Sequence, residues 1–489
     1  MQRSGFADGV GGGGGCEGRD EGRGGKLTRV WTLDTWLRDR SQSEHHASDW
    51  TLWSGLWALD SEGGGGGGRN QRPGMKHEDG TDHSPSRTAA AAAAAAAGAA
   101  AQHLQQHRIC SSRTTSTSTT STSITSTSSS STSSTNSTSA SSSMGLLADI
   151  LLYPGELLPL LRVRREAKAL ATHTYSDEDL AFCYRMLNRL SKSFAFVIQQ
   201  LPAAVRHAVC VFYLVLRALD TVEDDMGVGN AEKIPILIAF HEHVTDPNWT
   251  YVCGTKDFRK LMQHLHHLRR ALEKLDPKYR MVILDITKRM GAGMAMYITA
   301  EVETEQQYQD YCHYVAGLVG IGLSAIFHHS GLEPLADEGL SNTMGLFLQN
   351  TNIIRDYLED IEEEPAPRMF WPRAVWGKYA QQLEDFKDVG ANGTAAVQCL
   401  NDMVTIALSH APHCLCFLAQ VHDAQIFRFW AIPQIMAMAT LTLCYNNIQV
   451  FQKEVKPRLG LAAKVMDQTW SMVDVRAFFH AFALELLAK

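Results

Sequence analysis

The spacing of apolar residues constrains the fold of this chain more strongly than any other sequence feature. From Asp177 to the C-terminus, apolar side chains recur three and four residues apart, as on the buried face of an α-helix. Ser176 is predicted to be the N-cap of the first helix, with acidic residues in its first turn. No alternating run of strand length occurs in this part of the chain. We predict an all-α fold, whose later helices span roughly 203–226, 233–244, 256–274, 278–302, 305–329, 338–362, 373–387, 392–421, 423–453, 459–468 and 472–488.

The first 143 residues have a different composition from the rest. They contain Gly runs, an Ala-rich run over 89–101 and a Ser/Thr tract over 111–143. Such tracts bury too little apolar surface to offset chain entropy, so we predict disorder over 1–143 and one folded domain over 144–489. Two origins remain open for the extension: a transit peptide or regulatory tail, or a mis-extended start upstream of Met144. Its acidic residues equal its basic ones in number, which argues against a transit peptide.

Charge, cysteines and hydropathy exclude several classes of function. The net charge of −7 falls on the predicted domain, which argues against nucleic acid as a partner. The ten Cys residues are scattered without a CxxC pair, which indicates a reduced, cytosol-facing compartment rather than a disulfide scaffold. There is no secretory signal, and no run of about 18 apolar residues predicts a transmembrane helix. The most apolar stretch, Ala431–Cys444, is predicted to be buried core.

The segment Val205–Met226 combines a nearly apolar helix with a charged stripe. Residues at i, i+4, i+7 and i+11 share one narrow side of a helix. Here these positions hold Tyr213, Arg217, Asp220 and Asp224, with Glu223 and Asp225 at the same end. Buried charge is very costly unless it faces a partner, a metal ion or a wet cavity. The crowded acids also repel one another unless a cation lies between them.

The segment Gly345–Glu364 repeats this design. Its polar stripe and flank consist of Gln349, Asn352, Arg355, Asp356, Glu359 and Asp360. Two such helices facing each other predict an acidic cavity whose oxygen ligands suit Mg²⁺ together with phosphate oxygens. Arg217 and Arg355 are candidates to hold phosphate directly. A single DxxxD also occurs on solvated helix faces, but the pair favours metal-assisted ionisation of an allylic diphosphate.

Five blocks of sequence resemble one known family. They are FYLVLRALDTVEDDM (212–226), YCHYVAGLVGIGLS (311–324), MGLFLQNTNIIRDYLEDI (344–361), FWPRAVW (370–376) and AIPQIMAMATLTLCYNN (431–447). In this order they resemble the squalene synthases, the farnesyl-diphosphate farnesyltransferases of the squalene/phytoene synthase family. The resemblance extends from about Met144 to Lys489. It implies a single helical domain of the isoprenoid synthase type with a central active-site cavity.

The resemblance also implies two half-reactions in that cavity. Two farnesyl diphosphates would condense head to head to presqualene diphosphate. This intermediate would rearrange and take hydride from NADPH to give squalene, the first committed step of sterol biosynthesis. Asp220, Glu223 and Asp224 would bind Mg²⁺ with one diphosphate, and Asp356 and Asp360 would bind it with the other.

The same match implies roles for further residues. Tyr311 matches the family's proposed proton-removing tyrosine, and Tyr213 would line the same cavity. The diphosphates would be contacted by Arg217, Gln349, Asn352 and Arg355. Ser191-Lys192-Ser193-Phe194 matches a Ser-Arg-Ser-Phe loop that contacts phosphate and NADPH in the family. NADPH would be bound by Lys192, Arg217, Lys456 and Arg458.

This chain departs from the family pattern in several places. Lys192 replaces an Arg, which keeps the charge but loses bidentate geometry. Asn350 stands where many relatives have Lys, so the phosphate contact that this Lys makes in relatives is in question here. Pro457 separates the two C-terminal cations, Lys456 and Arg458. Relatives usually continue into a hydrophobic anchor in the endoplasmic reticulum membrane, whereas this sequence stops at Lys489, which leaves open a truncated sequence or a soluble form. We expect a monomer at the cytosolic face of that membrane, in peripheral contact with it.

Two other functions remain compatible with a helical, acid-rich chain. A phytoene synthase-like prenyl synthase would share the fold, the Mg²⁺ chemistry and the condensation, but not the reduction. A catalytically silent helical lipid-binding protein would not need the acids. The blocks at 311–324 and 431–447 favour the squalene enzymes over the first, and the complete acidic motifs favour an enzyme over the second.

The stretch Val315–Ile326 carries three Gly residues on an apolar helix. They permit two interpretations. Small residues let a long isoprenoid lie against the backbone, and they also let two helices pack closely.

Overall fold

The computed structural model describes residues 151–363 and 367–489, and its regular secondary structure in these ranges is entirely helical. The predicted all-α fold is confirmed, whereas residues 1–143, predicted to be disordered, lie outside the described residues. The first helices are α1 (Leu157–Ala171), α2 (Glu178–Leu190), α3 (Lys192–Gln199), α4 (Ala203–Asp224), α5 (Asn230–His243), α6 (Lys256–Gln263), α7 (Leu265–Lys274) and α8 (Pro277–Tyr297). They are followed by α9 (Glu305–Cys312), a π turn (His313–Gly317), α10 (Leu318–His329), α11 (Glu338–Arg355), α12 (Tyr357–Ile361), α13 (Arg373–Trp376), α14 (Val389–Leu408), α15 (Ala411–Leu418), α16 (Ala424–Cys444), α17 (Leu459–Gln468) and α18 (Met472–Ala488). Short 3₁₀ turns occur at Pro154–Glu156, Leu383–Lys387 and Ile448–Phe451.

Helix α11 lies at the centre of the fold. It packs against α10, α14, α15 and α16, and against the π turn. Every residue from Met344 to Arg355 is buried, although the middle of this stretch is polar. On the other side of α10, helix α8 packs against α10, α5 and α4. The two predicted acidic helices therefore both lie deep in the protein, where their polar side chains need polar partners.

Two helical stretches within the described residues are long and apolar enough to cross a membrane: Glu305–His329 and Ala424–Cys444. Their most apolar windows are 72% and 94% buried inside the protein, as in core helices of globular domains. Helix α16 is the second of these stretches, and its buried residues include Ala431–Leu441 without interruption. The predicted core position of Ala431–Cys444 is confirmed.

Several helix boundaries differ from the predicted ones. Asp177, not Ser176, caps α2, and its carboxylate accepts hydrogen bonds from the backbone N–H groups of Asp179 and Leu180. Asp and Ser are equally good caps, so the sequence pattern alone does not choose between neighbours. The predicted helix at 256–274 breaks at His264, where φ is −115°, and the one at 338–362 breaks at Asp356.

Close helix packing explains Gly320 in the apolar stretch and Gly345 in α11. A Cβ on Gly320 would lie 2.1 Å from the carbonyl oxygen of Ser341. A Cβ on Gly345 would lie 2.1 Å from the carbonyl oxygen of Ala316. Helix α10 and the π turn therefore meet α11 backbone to backbone, and the structure supports the packing interpretation at these positions.

Candidate active site

The charged stripe of α4 is completely buried at three positions. Arg217, Asp220 and Glu223 have no exposed surface, and the side chain of Asp224 is 21% exposed. Arg217 Nη1 lies 3.7 Å from Asp220 Oδ2, which forms an ion pair across one turn of the helix. Val, Leu and Ala residues cover the remaining sides of α4. The predicted burial of a charged stripe in this helix is confirmed.

Two contacts hold the C-terminal end of α4. Lys233 of α5 donates a hydrogen bond from Nζ to the carbonyl oxygen of Glu223 at 2.6 Å. This lysine is fully buried, and burial lowers its pKa. Asp225 accepts hydrogen bonds from the backbone N–H groups of Gly227 at 2.8 Å and Gly254 at 2.6 Å. Asp225 therefore fixes the turn after α4, and Lys233 is a buried cation that the sequence analysis missed.

The two aspartates of the second motif have different surroundings. Asp356 lies at the break between α11 and α12. Arg355 binds it through two hydrogen bonds, from Nε to Oδ1 at 2.7 Å and from Nη2 to Oδ2 at 2.6 Å. Burial is the larger effect and raises the pKa of Asp356 to about 6. Arg355, predicted to hold phosphate, is thus engaged by its neighbour, whereas Asp360 lies one turn further on and is 3% exposed.

Arg368 connects the two acidic motifs. Its backbone N–H donates to the carbonyl oxygen of Asp360 at 2.8 Å. Its guanidinium lies 3.5 Å from Glu223 Oε1 and 4.0 Å from Asp224 Oδ1. The side chain is almost fully buried. Arg368 therefore joins the acidic end of α4, through its guanidinium, to the end of α12, through its backbone, and the sequence analysis did not single it out.

Tyr311 lies at the same buried acidic edge. It has no exposed surface, and its ring stacks on Phe370 with centroids 4.0 Å apart. Burial raises the pKa of Tyr311 well above its usual value, the nearby carboxylates of Glu223 and Asp360 raise it further, and Arg368 lowers it. The phenol is therefore protonated at neutral pH. The π turn follows Tyr311 directly after Cys312, and such distortions are frequent at functional sites.

An apolar cavity adjoins this group of charges. Tyr213 stands at the junction, because its ring centroid lies 5.9 Å from Arg217 Cζ and 6.2 Å from the ring of Phe194. The cavity is lined by Phe194, Ile198, Val209, Phe212, Tyr213, Leu216, Val319, Leu323 and Phe429. It is built from α3, α4, α10 and α16. Charged groups and an aromatic, hydrocarbon-compatible space thus lie side by side.

Gln349 and Asn352 are buried beside the second motif. Gln349 Nε2 and Asn352 Oδ1 make no hydrogen bond to any described residue. Buried polar atoms are normally satisfied, so these two suit contact with a polar ligand. Asn350, which stands in place of the family's Lys, accepts a hydrogen bond from Gln309 at 3.1 Å and donates one to the carbonyl oxygen of Leu346. It is therefore part of the packing under the site.

The residues of the predicted phosphate and cofactor loops have structural contacts. Ser191 caps α3, its Oγ accepting a hydrogen bond from the backbone N–H of Phe194 at 3.1 Å, and Lys192 and Ser193 form the first turn. Lys456 pairs with Glu454 at 3.1 Å. Arg458 donates to Glu156 Oε1 at 2.8 Å and lies over the ring of Tyr153. A cofactor phosphate would have to compete with Glu156 for Arg458.

The carboxylates suit Mg²⁺ only with help from a ligand. Among the described residues, no group of three or more His, Cys, Asp or Glu side chains is placed to hold a metal ion. Mg²⁺ commonly takes one or two carboxylates and completes its octahedron with water and substrate phosphates. Asp220, Glu223, Asp224 and Asp360 supply such oxygens. Asp224 Oδ1 is buried and makes no hydrogen bond to any described residue, which suits an oxygen that binds a cation.

This arrangement defines a class of protein. Buried carboxylates and guanidinium groups lie beside an apolar cavity in an all-α domain, and this combination is typical of the isoprenoid synthases. Residues 187–460 match the family described as Squalene/phytoene synthase. The chain belongs to the squalene/phytoene synthase family.

Individual relatives agree with this assignment. The chain is 55% identical over 346 residues to squalene synthase of Solanum lycopersicum, which covers 71% of this chain and 84% of the relative. The identity to squalene synthase 2 of Panax ginseng is also 55% over 346 residues. The solved complex of TcSQS with the ligand E5700 superposes with a TM-score of 0.63 and 47% identity, over 64% of this chain and 92% of that chain.

Proposed function

We propose that this chain is a squalene synthase, which condenses two farnesyl diphosphates head to head and reduces the product to squalene. One observation carries the proposal: Glu223 and Asp224 face the buried guanidinium of Arg368, while Arg217 on the same helix lies beside Tyr213 at the edge of an apolar cavity. The backbone N–H of Arg368 also binds the carbonyl oxygen of Asp360, which brings the second acidic motif to the same place. Charged groups that would bind a diphosphate therefore adjoin an apolar cavity, which would have to widen to receive the hydrocarbon chain. The 55% identity to the Solanum squalene synthase supports squalene, rather than a C40 hydrocarbon, as the product.

The acids and cations would bind the two diphosphates. Asp220, Glu223 and Asp224 would hold Mg²⁺ with one diphosphate, and Asp356 and Asp360 would hold it with the other. Asp356 would first have to exchange Arg355 for the metal ion. When bound, Mg²⁺ neutralises the negative charge of a departing diphosphate. Arg217 and Arg368 add fixed positive charge in a buried site, where charges interact more strongly than in water.

The apolar cavity would hold hydrocarbon and keep water from the reacting carbons. Loss of diphosphate leaves an allylic carbocation, which water would trap as an alcohol. Phe194, Phe212 and Phe429 line the cavity and present aromatic rings to it. Aromatic faces attract cations and exclude water, so these side chains favour rearrangement over hydrolysis.

Tyr311 would move a proton in the first half-reaction. The first half-reaction forms two carbon–carbon bonds of a cyclopropane, expels one diphosphate and releases one proton. Because the pKa of Tyr311 is raised by burial, its phenol is neutral before reaction. It would take the substrate proton only as it passes its own proton to an acceptor, such as a diphosphate oxygen or Glu223. We therefore assign Tyr311 the role of a proton relay.

The second half-reaction needs a hydride donor, for which we propose NADPH. The bond from carbon to the second diphosphate breaks, and the rearranged cation is quenched by hydride. Lys192 and Lys456 are exposed basic residues that would attract the cofactor phosphates. Arg458 would join them only by exchanging Glu156 for a phosphate.

The experiment is turnover of labelled farnesyl diphosphate by the full chain with Mg²⁺, with and without NADPH. Squalene formed only with NADPH, and presqualene diphosphate accumulating without it, is the expected result. A C30 or C40 hydrocarbon that forms equally without NADPH would indicate a phytoene synthase-like enzyme instead. No consumption of substrate, with binding of farnesyl diphosphate retained, would indicate a silent lipid-binding protein.

A further inference from the structure

Helix α1 and the residues before it expose an unusual amount of apolar surface. The exposed fractions are 82% for Leu151, 72% for Leu152, 63% for Leu158 and 51% for Leu161. The opposite side of α1 packs on α17, with Val163 buried, and Arg458 holds Glu156 at its start. The orientation of α1 is therefore fixed by packing, and its leucines face outward.

Cations flank these leucines. At 100° per residue, Leu158, Leu161 and Arg165 fall within about 60° of the helix circumference. Arg162 and Lys168 lie on either side of them, and the side chain of Arg162 is 68% exposed. Glu166 is the one acid among the exposed side chains of α1. We call Leu158, Leu161, Arg162, Arg165 and Lys168 the α1 face.

Further exposed apolar residues adjoin the α1 face. Arg162 Nη1 lies 3.3 Å from Asp467 Oδ2. The indole N–H of Trp470 donates to the carbonyl oxygen of the same Asp467 at 2.8 Å, although the ring is 60% exposed. Val473, one turn further, is 70% exposed. An exposed Trp whose polar edge is satisfied next to cations and leucines is typical of a side chain at a bilayer interface.

We propose that the α1 face docks on a lipid bilayer that carries anionic headgroups. Helices that lie in a membrane interface combine an apolar side with flanking Lys and Arg, as this one does. A second copy of the chain would present the same cations, which repel each other. The upstream residues 1–143 have equal numbers of acidic and basic residues, so they offer no net charge complementary to the α1 face. The anionic leaflet matches both its charge and its leucines.

The test is co-sedimentation of the full chain with vesicles of phosphatidylcholine alone or mixed with phosphatidylserine. The unchanged protein should partition onto the mixed vesicles more strongly, and salt should weaken this binding. Leu158→Ser combined with Leu161→Ser should lower the partition ratio about tenfold or more. Arg165→Gln should lower it about fivefold on mixed vesicles and leave it unchanged on phosphatidylcholine.

Matched controls distinguish docking through the α1 face from non-specific binding by exposed apolar residues elsewhere. Met281 and Leu335 are 65% and 62% exposed on other parts of the surface, so Met281→Ser with Leu335→Ser should leave partitioning unchanged. Melting temperatures and turnover of detergent-dispersed substrate should be the same in all variants. The vesicle assay measures partitioning alone, so its result does not depend on the proposed activity. Equal partitioning of the α1 and control variants would overturn the proposal. A dimer in light scattering that the Leu158→Ser, Leu161→Ser variant abolishes, without vesicle binding, would overturn it in favour of a second copy.

Discussion

Asp220 and Asp225 lie in the same acidic stretch, but they have different neighbours. Asp220 is buried next to Arg217, whereas Asp225 caps the turn after α4 through backbone N–H groups. Asp220→Asn should lower presqualene diphosphate formation about a hundredfold or more, because a carboxylate ligand for the metal is lost. It should also raise the Mg²⁺ concentration needed for half-maximal rate.

The control for this change is Asp225→Asn, which should affect stability rather than chemistry. Loss of a charged acceptor for two N–H groups should lower the free energy of unfolding by about 1 kcal/mol, with the Mg²⁺ requirement unchanged. Urea unfolding and product analysis measure the two effects. Rapid condensation by Asp220→Asn would contradict the metal role that we assign to this carboxylate.

Tyr308 and Tyr311 allow a second matched comparison, since both are fully buried on α9. The hydroxyl of Tyr308 makes no hydrogen bond to any described residue, so Tyr308→Phe should leave the rate nearly unchanged. Tyr311→Phe should lower presqualene diphosphate formation about a hundredfold or more, because the proton relay is lost. Single-turnover assays measure both. Equal effects of the two substitutions would show that Tyr311 serves packing alone.

At the scale of residues, some of the site could be predicted from sequence and some could not. The buried stripe from Tyr213 to Asp224 follows from helical spacing in one segment. Arg368 lies 145 residues from Glu223 along the chain, and Lys233 reaches a backbone carbonyl on another helix. Neither contact leaves a periodic signal. Lys233 lies at the N-terminus of a predicted helix, and a lysine there is usually exposed, so its burial could not be predicted.

The packing of α11 against its neighbours predicts a sharp sensitivity to added volume. Gly345→Ala would place a methyl group 2.1 Å from the carbonyl oxygen of Ala316, so the helices must separate. We expect a loss of about 3 kcal/mol in the free energy of unfolding, measured in urea. Gly393→Ala in α14 is the control, since its new Cβ would approach nothing closer than Ile448 Cδ1 at 3.4 Å. It should be neutral or stabilising by up to about 1 kcal/mol.

The contact between α2 and α7 predicts how stability depends on pH. Hydrogen bonds from Arg270 hold the pKa of Asp179 well below its usual range, and Lys274 and His267 lower it further. The unfolded chain takes up a proton at Asp179 near pH 4. The stabilisation is therefore complete above that pH and is lost as the pH falls below it.

The corresponding variant is Asp179→Asn. It should lower the free energy of unfolding by about 1–2 kcal/mol at neutral pH, and its difference from the unchanged protein should shrink as the pH falls below about 4. Asp285→Asn removes an exposed ion pair with Arg289 and should change little at any pH. Urea unfolding across this pH range checks both. A deficit that persists undiminished in acid would show that shape, not charge, explains the contribution of Asp179.

Helix existence could be predicted at this scale, but helix ends could not. At the break only Asp356 leaves the helical conformation. The apolar spacing of 338–362 therefore continues across the break and does not reveal it. The break at His264 is hidden in the same way. The predicted helix at 392–421 is also divided, into α14 and α15, and Pro412 lies in the first turn of α15, where a missing backbone N–H costs least.

At the scale of the whole molecule, the described helices bury one continuous apolar core. Its first buried residue is Val163 in α1, and its last is Leu486 in α18. Each of α1, α17 and α18 contributes to it, and Glu156–Arg458 joins the first turn to the last part of the chain. The composition change near residue 143 predicts that the folded unit begins close to this point. The helix α1 itself was not predicted, since exposed leucines interrupt its amphipathic pattern.

Deletion of residues 1–143 tests that boundary. Because the buried core of the described residues begins well after residue 143, the shortened chain should keep its melting temperature and its rate of squalene formation within experimental error. Deletion of residues 1–171 also removes α1, with Val163 and the Glu156–Arg458 ion pair, so it should lower the melting temperature by several degrees. Calorimetry and product analysis compare the three chains. If the shorter deletion destabilised the protein as much as the longer one, part of residues 1–143 would belong to the fold, and the predicted boundary would be wrong.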